Sequence, residues 1–456
     1  MPESKLKAVL SNNIEDHLFP PNRELLPKLG DVYELQLAFY ENLLLSDTEL
    51  LRNGAYFAKV GEKYTHHFLM CAGEPVRLPD HSSSRLKSFF DENIFRTGYA
   101  THGLFPYRGK FHPQMIKGLI NMMGLKPGQK VLDPMMGSGT VPVEASLMGI
   151  NSLGLDASAF CRFMAQTKID ALTMPLKRAR GALDKIDDVF NYFQKQGGKP
   201  ALGSKSRGQK PSDGYMSVME PVADYITKED RNTLPRKDRE TANTYAFLLL
   251  AYLDSAGYSE RSNRKPPLEQ FRAVLERYIF VAEKIQTVLR GAESNLGIAD
   301  ILEGDARDLP FENESIDGII FSPPYSFAID YLENDSFHLA FLGVDMNELR
   351  EKMVGLRGRT LTNKFEFYLE DMNKILSECA RVLRKEAICT IIVGTNNNQL
   401  SKVLGIPPEK VPGLHQLLAE SAASRGMHQI KMLSRPIKGM SNTMRREYII
   451  LLQKSA

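Results

Sequence analysis

The sequence predicts an α/β protein with a mostly parallel sheet that finishes on an antiparallel terminal strand. Two observations carry this prediction. From residue 103 onward, short apolar segments alternate with stretches of helical periodicity, as in successive βαβ units. A glycine-rich turn also joins the first of these strands to the first helix, which is typical of parallel α/β architecture.

The chain that precedes the alternation is predicted to be a helical N-terminal region, residues 1–98. Apolar residues recur at helical spacing in residues 32–45 and again in residues 49–60. Prolines at positions 20, 21 and 75 interrupt this region. We expect it to pack against the sheet or to act as a lid.

The first part of the sheet is predicted within residues 99–174. Residues 130–133 form a short apolar strand, residues 137–139 are Gly-Ser-Gly, and residues 141–148 have helical character. A second strand, residues 151–155, then ends on Asp156. This order of strand, turn, helix and strand predicts one parallel α/β unit.

The alternation stops in residues 175–300, which we interpret as a largely helical insertion and a candidate for substrate recognition. Residues 195–214 are rich in Gly, Ser, Lys and Pro and predict a mobile loop. Residues 242–253 and 268–289 predict two long helices. In residues 301–456 the sheet resumes, with strands expected at 301–305, 318–321, 387–393, 429–433 and 447–452, and a helix at 365–383.

Composition excludes several classes of protein. The 456 residues are 43% hydrophobic and 25% charged, which rules out wholesale disorder and a coiled coil and suggests two or three domains. The longest apolar run, residues 245–253, is far shorter than the ~20 residues of a membrane span. The four cysteines form no CxxC pair, so neither a zinc site nor a disulfide framework is indicated, and we expect no metal and a cytoplasmic location. The net charge of +3 permits a nucleic-acid partner without identifying one.

Residues 133–140, which we call the glycine loop, have the composition of a ligand-binding turn. Gly137 and Gly139 precede a helix, where they allow a sharp turn and a close approach to a ligand. The sequence is not a Walker loop, since no Gly-Lys-Ser/Thr follows, and it lacks the glycine spacing of a dinucleotide site.

Acidic residues lie at the ends of three predicted strands: Asp133, Asp156 and Asp305. Open α/β sheets bind ligands at the carboxyl ends of their strands. There Asp156 is placed to accept hydrogen bonds from ribose hydroxyls, and Asp305 from an adenine amino group. Each acid alone could be a helix cap or a turn residue. Together they predict an adenosine-containing cofactor that needs no triphosphate.

The tetrapeptide Ser322-Pro323-Pro324-Tyr325 follows an apolar strand. Two prolines stop a strand and hold its carbonyl oxygens at a fixed angle. Such acceptors can orient the exocyclic amine of a nucleobase and stabilise the charge that develops as it attacks. The tyrosine ring can stack on a base that has left its helix. A proline-stopped loop with a packed tyrosine is the alternative for these residues taken alone.

These motifs resemble those of the S-adenosylmethionine (SAM)-dependent amino-methyltransferases that modify N4 of cytosine or N6 of adenine. Asp-Pro-Met-Met-Gly-Ser-Gly-Thr is similar to their DPFxGSGT-like loop, and the SPPY form is more typical of the N4-cytosine enzymes. Residues 105–111, Phe-Pro-Tyr-Arg-Gly-Lys-Phe, are similar to the family's HPYPAKF-like segment and are called the upstream segment below.

The resemblance implies a Rossmann-like class I methyltransferase sheet, SAM as cofactor and nucleic acid as partner. The implied catalytic residues are Ser322, Pro323, Pro324 and Tyr325. The implied cofactor-binding residues are His102, Tyr107, Lys110, Phe111, Asp133, Pro134, Gly137, Ser138, Gly139, Thr140, Asp156, Asp305 and Ala306.

The sequence departs from the family pattern at three places. Met135 replaces the usual Phe of the glycine loop, and Phe105 replaces the first His of the upstream segment. Any polar role of that histidine is therefore lost or moved to His102. The insertion does not match a target-recognition domain known in the family.

Basic clusters indicate where nucleic acid would bind, through phosphate contacts that give affinity without sequence information. The preferred candidates are Arg357 and Arg359, which are flanked by glycines close behind the tetrapeptide. A second set near the C-terminus contains Arg435, Lys438, Arg445 and Arg446. Any one of these clusters is more often an ordinary solvated surface than a phosphate-binding one. Further basic residues close behind the tetrapeptide and in the insertion are Arg350, Lys352, Lys364, Lys177, Arg178, Arg180, Lys205, Arg207 and Lys210.

The preferred hypothesis is methyl transfer to the N4 amine of cytosine in DNA. Alternatives are an RNA (ribosomal RNA) N4-cytidine methyltransferase, an N6-adenine DNA methyltransferase and a non-catalytic nucleic-acid-binding protein. Methylation of cytosine C5 needs a cysteine nucleophile, and no Pro-Cys loop follows the fourth strand of the sheet.

Overall fold

The computed structural model describes residues 18–27, 29, 31–72, 90–91, 94–95, 97–107, 109–196, 214–226, 233–261, 266–291, 295–324, 331–437 and 446–456. No helix within these ranges is long and apolar enough to cross a membrane. The strands are β1 (Arg23–Leu25), β2 (Phe57–Val60), β3 (Lys63–Tyr64), β4 (Phe90–Asp91), β5 (Ile94–Phe95), β6 (Lys130–Asp133), β7 (Asn151–Asp156), β8 (Ala299–Glu303), β9 (Ile316–Phe321), β10 (Leu383–Gly394), β11 (Met427–Pro436) and β12 (Arg446–Lys454).

The α-helices are α1 (Val32–Leu44), α2 (Asp47–Asn53), α3 (His66–Cys71), α4 (Pro113–Met122), α5 (Thr140–Leu147), α6 (Ala159–Asp170), α7 (Lys177–Asp184), α8 (Ile186–Gln196), α9 (Arg236–Arg261), α10 (Pro267–Gly291), α11 (Tyr331–Phe341), α12 (Met346–Lys352), α13 (Leu361–Val382), α14 (Asn397–Leu404) and α15 (Leu414–Ala423). Short 3₁₀ helices occupy Ala100–Gly103, Glu220–Tyr225 and Pro408–Lys410.

Seven strands form the central sheet in the order β11-β12-β10-β9-β6-β7-β8. The pairs among β6, β7, β8, β9 and β10 are parallel, whereas β12 runs antiparallel to both β10 and β11. This confirms the predicted Rossmann-like class I methyltransferase fold. The strand order reverses between β6 and β9, and a reversal of this kind opens a crevice at the carboxyl ends of the strands.

The N-terminal region contains strands that the sequence analysis missed. β1, β2 and β3 form a three-stranded sheet, so residues 57–60, predicted as the end of a helix, are extended. The predicted helix ends earlier, at Asn53, and Gly54 is its C-cap. Three of the four residues of β2 are buried, and a short apolar run buried on both faces has no periodicity that distinguishes a strand from a helix.

The insertion is helical as predicted, and it shares a hydrophobic core with the sheet domain. The two long helices expected at 242–253 and 268–289 lie within α9 and α10, and two shorter helices, α7 and α8, precede them. One buried cluster joins residues of α9 and α10 to Phe160 and Phe163 of α6 and to Phe105. The insertion therefore packs against the layer that carries the cofactor motifs. Most of the predicted loop at 195–214 lies outside the described residues.

Candidate active site

One pocket collects most of the predicted site residues at the carboxyl ends of β6, β7, β8 and β9. The lining residues are Tyr107, Gly109, Lys110, Phe111, Pro134, Met135, Met136, Gly137, Ser138, Thr140, Asp156, Ala157, Cys161, Gly304, Asp305, Ala306, Ser322, Pro323, Pro324, Lys352, Met353 and Val354. The upstream segment, the glycine loop, two of the three predicted acids and the tetrapeptide thus share one site.

The glycine loop turns tightly because two of its residues have left-handed backbone conformations. Gly137 has a φ of 49° and Gly139 a φ of 76°. A Cβ atom added to Gly139 would lie 2.7 Å from the Cβ of Ala165, so the loop contacts α6 without room for a side chain. On the other side, Asp156 accepts hydrogen bonds from the backbone N–H groups of Gly137 and Ser158, each at 2.9 Å. A carboxylate at the end of β7 therefore holds the loop in place.

Asp133 is fully buried and is not among the residues that line the pocket, although Pro134 and Met135, which follow it, are. Its Oδ1 accepts a hydrogen bond from the Met135 N–H at 3.1 Å. Its Oδ2 has no hydrogen-bond partner among the described residues. Burial raises the pKa of Asp133 well above its usual range. A cationic group bound beside this oxygen would favour the ionised carboxylate and satisfy it.

Asp305 lines the pocket as part of a network of four charged side chains. Arg307 donates to both of its carboxylate oxygens, at distances from 2.7 to 3.0 Å. The same guanidinium reaches Asp371 at 3.0 Å, and Arg357 donates to Asp371 at 2.5 Å. Burial alone would raise the pKa of Asp305, but the hydrogen bonds and charge of Arg307 lower it overall. Asp305 is thus an ionised acceptor in a fixed orientation.

The predicted nucleic-acid contacts differ in their surroundings. Arg357 belongs to the network just described, and its guanidinium carbon lies 4.8 Å from the ring centroid of Phe367, so it is engaged within the protein. Arg359 is exposed. Arg435, from the second set, is paired with the buried Glu447. Outside the described residues lie Lys438, Arg445, Lys205, Arg207 and Lys210.

The upstream segment contributes Tyr107, Lys110 and Phe111 to the pocket wall. The Lys110 ammonium donates to the carbonyl oxygens of Thr97, at 2.9 Å, and of His102, at 3.0 Å. Burial, together with repulsion from Arg277, lowers the pKa of Lys110 to about 8. Because an ammonium group has three N–H donors, one remains for a ligand.

His102 supports the upstream segment from behind the pocket and does not line it. Its Nε2 lies 2.7 Å from the Oε1 of the buried Glu144, which also accepts a hydrogen bond from the Tyr99 hydroxyl at 2.6 Å. Burial lowers the pKa of His102 to about 4 against the attraction of Glu144, so the ring is neutral at pH 7 and donates to the carboxylate. Its role in this geometry is to fix the carbonyl that holds Lys110.

Ser322, Pro323 and Pro324 follow β9 and line the same pocket as the glycine loop, whereas Tyr325 lies outside the described residues. The sequence analysis did not predict nine of the lining residues: Gly109, Met135, Met136, Ala157, Cys161, Gly304, Lys352, Met353 and Val354. It assigned Lys352 to a phosphate-binding cluster. Met353 and Val354 could have been predicted because they are an apolar pair in an otherwise charged stretch at the end of α12.

Comparison with known proteins agrees with this geometry. Residues 104–192, which contain the glycine loop and Asp156, match the RMKL-like methyltransferase domain family. The Type II methyltransferase M.BsoBI of Geobacillus stearothermophilus is 23% identical over 305 residues, 58% of this chain and 57% of that protein. The Type II methyltransferase M.MjaII of Methanocaldococcus jannaschii is 23% identical over 393 residues, 66% of this chain and 73% of that protein.

A shorter likeness reaches an RNA-modifying enzyme. A tRNA (guanine(10)-N2)-dimethyltransferase of Methanothermobacter thermautotrophicus is 38% identical over 52 residues, 11% of this chain and 16% of that protein. The chain spans little more than half the length of M.BsoBI, since the match covers 57% of it. Together these matches confirm the resemblance to SAM-dependent nucleic-acid methyltransferases, with SAM as the cofactor.

The close contact at Gly139 yields a test of the loop. Gly139→Ala forces a Cβ atom to within 2.7 Å of Ala165, so we expect the loop to shift and the affinity for S-adenosylhomocysteine to fall at least tenfold in calorimetric titration. Gly124→Ala is the matched control, because Gly124 has a similar φ of 70° but no atom within 4 Å of an added Cβ. Equal affinities of the two variants would contradict a close-packed loop.

Proposed function

We propose that this protein transfers the methyl group of SAM to the exocyclic N4 amine of cytosine in nucleic acid, with DNA as the preferred substrate. One observation carries the proposal: Ser322, Pro323 and Pro324 line the same pocket as the glycine loop, Asp156 and Asp305. The residues proposed to orient the amine and those proposed to hold an adenosine-containing cofactor therefore share one space. A protein that only binds nucleic acid would not need an amine-orienting turn beside a cofactor site.

The acidic groups at the strand ends are assigned to the parts of SAM in the order of the sequence: Asp133 to the methionine end, Asp156 to the ribose and Asp305 to the adenine. Asp156, which lines the wall and is anchored by two backbone donors, is assigned to the ribose hydroxyls. Asp305 and Ala306 are assigned to the adenine, where an ionised acceptor suits the amino group. The methionine end carries an ammonium and a carboxylate. The remaining donor of Lys110, in the pocket wall, is the complementary partner of the carboxylate, and by resemblance Asp133, buried behind the lining residues, is that of the ammonium.

SAM supplies a methyl group on a sulfonium, which is a good leaving group, so no covalent enzyme intermediate is required. The protein's task is then to orient the amine and to stabilise its developing positive charge. The carbonyl oxygens of the proline turn and the Ser322 hydroxyl, held at the end of β9, are the acceptors for the amine N–H groups. By resemblance, Tyr325 stacks on the flipped base.

Cys161 also lines the pocket, and its chemistry argues against a thiol nucleophile. Burial raises the pKa of Cys161 well above its usual range, and the nearby Asp156 raises it further. The reactive form of cysteine is the thiolate. A cysteine held as the neutral thiol supports transfer to an exocyclic nitrogen over attack on a ring carbon.

Two considerations favour N4 of cytosine in DNA. The SPPY form resembles the N4-cytosine enzymes, and M.BsoBI and M.MjaII, which this chain matches over more than half its length, are Type II methyltransferases. RNA is the second candidate because the tRNA dimethyltransferase shares 38% identity over 52 residues, and its name places its reaction on an exocyclic amine.

The substrate is tested by identifying the methylated nucleoside. The protein is incubated with isotopically labelled SAM and separate pools of unmodified DNA and RNA, and the digested products are analysed by mass spectrometry. We expect labelled N4-methylcytosine in the DNA pool. Label confined to RNA would replace the DNA assignment, label on adenine N6 or a ring carbon would overturn the N4 assignment, and no label despite SAM binding would overturn the enzyme assignment.

The role of the tetrapeptide is tested with Tyr325→Ala. Loss of the stacking ring is expected to lower kcat with DNA at least a hundredfold, because base–aromatic stacking contributes about 1–3 kcal/mol per base and also orients the amine. The affinity for S-adenosylhomocysteine should change less than threefold. Tyr64→Ala, at a half-exposed tyrosine in β3, is the control. Parallel loss of transfer and cofactor affinity would contradict the assignment of Tyr325 to the base.

The role of Lys110 predicts a pH dependence of cofactor affinity. Since its pKa is about 8 in the free protein, the ammonium is present below pH 8 and is lost as the pH rises above it. The affinity for S-adenosylhomocysteine should therefore fall between pH 7 and pH 9. Lys110→Met should bind about tenfold more weakly at pH 7, the loss of one charge-assisted hydrogen bond, and show no such step. An identical pH profile in both proteins would remove Lys110 from the cofactor contacts.

A further inference from the structure

The insertion touches the cofactor machinery through one buried hydroxyl. Tyr278 in α10 accepts a hydrogen bond from the backbone N–H of Phe105, the first residue of the upstream segment, at 2.9 Å. The same hydroxyl donates to Asp254 in α9, at 3.2 Å. Both long helices of the insertion thus take part in a chain of hydrogen bonds that ends on the segment supplying Tyr107 and Lys110 to the pocket.

Phe105 needs such support because its backbone is strained. Its φ is 49°, in the left-handed region, where a residue other than glycine is disfavoured by roughly 1–2 kcal/mol. Such conformations persist where the surrounding structure holds them. Besides the hydrogen bond that the Phe105 N–H donates to Tyr278, the Phe105 ring packs edge-on against Phe160, with centroids 5.2 Å apart, and against His338, at 5.1 Å. The turn that this geometry produces aims the following residues at the pocket.

Tyr278 and Asp254 are both buried. Asp254 forms an ion pair with Arg277, and the two side chains are only 8% and 12% exposed. Burial raises the pKa of the Tyr278 hydroxyl well above its usual range, so it stays protonated and donates and accepts at once. α10 also approaches the preceding 3₁₀ helix closely, since a Cβ atom on Gly103 would lie 3.1 Å from the Val281 side chain.

We propose that the insertion positions the upstream segment for cofactor binding, with Tyr278 and Asp254 as positioning residues that act through the backbone of Phe105. This role rests on the proposed function of the pocket. A recognition module merely appended to the sheet would place no buried hydrogen bond on a strained residue beside the cofactor. In this protein the helices that interrupt the sheet complete its cofactor site.

The test is removal of one oxygen atom. Tyr278→Phe keeps the ring but deletes the bond to Phe105, so we expect the affinity for S-adenosylhomocysteine to fall five- to tenfold, KM for SAM to rise equally, and kcat at saturating SAM to change less than twofold. Hydrogen–deuterium exchange should accelerate in residues 103–111 specifically. Tyr368→Phe is the matched control, because Tyr368 is equally buried but its hydroxyl has no partner among the described residues. We expect no change of affinity there.

A second variant covers the outcome in which Tyr278→Phe does not fold. Asp254→Asn preserves the shape of the side chain but weakens the acceptor that orients the Tyr278 hydroxyl, so a smaller loss of affinity in the same direction is expected. If the wild type binds S-adenosylhomocysteine and both Tyr278→Phe and Asp254→Asn bind it equally well, the positioning role is wrong. If the wild type binds neither SAM nor S-adenosylhomocysteine, the proposed function itself fails.

Discussion

The Asp156 carboxylate is the contact on which the geometry of the site depends. It lies at the end of β7 and accepts hydrogen bonds from the backbone of Gly137, in the loop that follows the neighbouring strand β6, and of Ser158, ahead of α6. The loop is pinned further by the Met136 N–H, which donates to the Leu155 carbonyl at 3.0 Å. With its position set from β7, the loop meets α6 so closely that only glycine fits at position 139. One carboxylate therefore joins two strands, a turn and a helix, and it still faces the pocket.

The buried charges around the pocket form a pattern that favours a zwitterion. Burial raises the pKa of Asp133 and lowers that of Lys110 to about 8, so each group is desolvated without a full set of opposing charges. A ligand that brings an ammonium to the first and a carboxylate to the second would stabilise the charged forms of both. Asp305 differs, because Arg307 already keeps it ionised. At the end assigned to the methionine part of SAM, the buried groups thus lack opposing charges. At the end assigned to the adenine, the protein itself supplies the opposing charge.

Local sequence was sufficient for the parts of the site that local geometry determines. Strand ends, the glycine loop and the proline turn each need particular residues at fixed offsets, and β6, β7 and β9 lie where those residues predict. Contacts between distant segments have no such signature. Arg357 had the appearance of a free phosphate ligand, yet it is paired with Asp371, fourteen positions away. Met353 and Val354 reach the pocket because α12 and the turn after it are folded over it, which no periodicity encodes. β2 was mistaken for a helix because a short strand buried on both faces does not alternate.

The insertion shows why a long interruption between β7 and β8 is compatible with one cooperative sheet. The entropic cost of closing a loop grows only slowly with its length. A long insertion is therefore tolerated if its helices can pack their apolar faces against the sheet domain. Here Phe160 and Phe163 of α6 contribute to one buried cluster with α9 and α10, and the sheet domain is therefore incomplete without them. His338 in α11, the helix that follows the tetrapeptide, stacks on Phe160 with ring centroids 4.7 Å apart and lies 3.3 Å from the Leu253 carbonyl of α9. The insertion consequently contacts both the upstream segment, through Phe105, and α11, the helix that follows the tetrapeptide in the sequence.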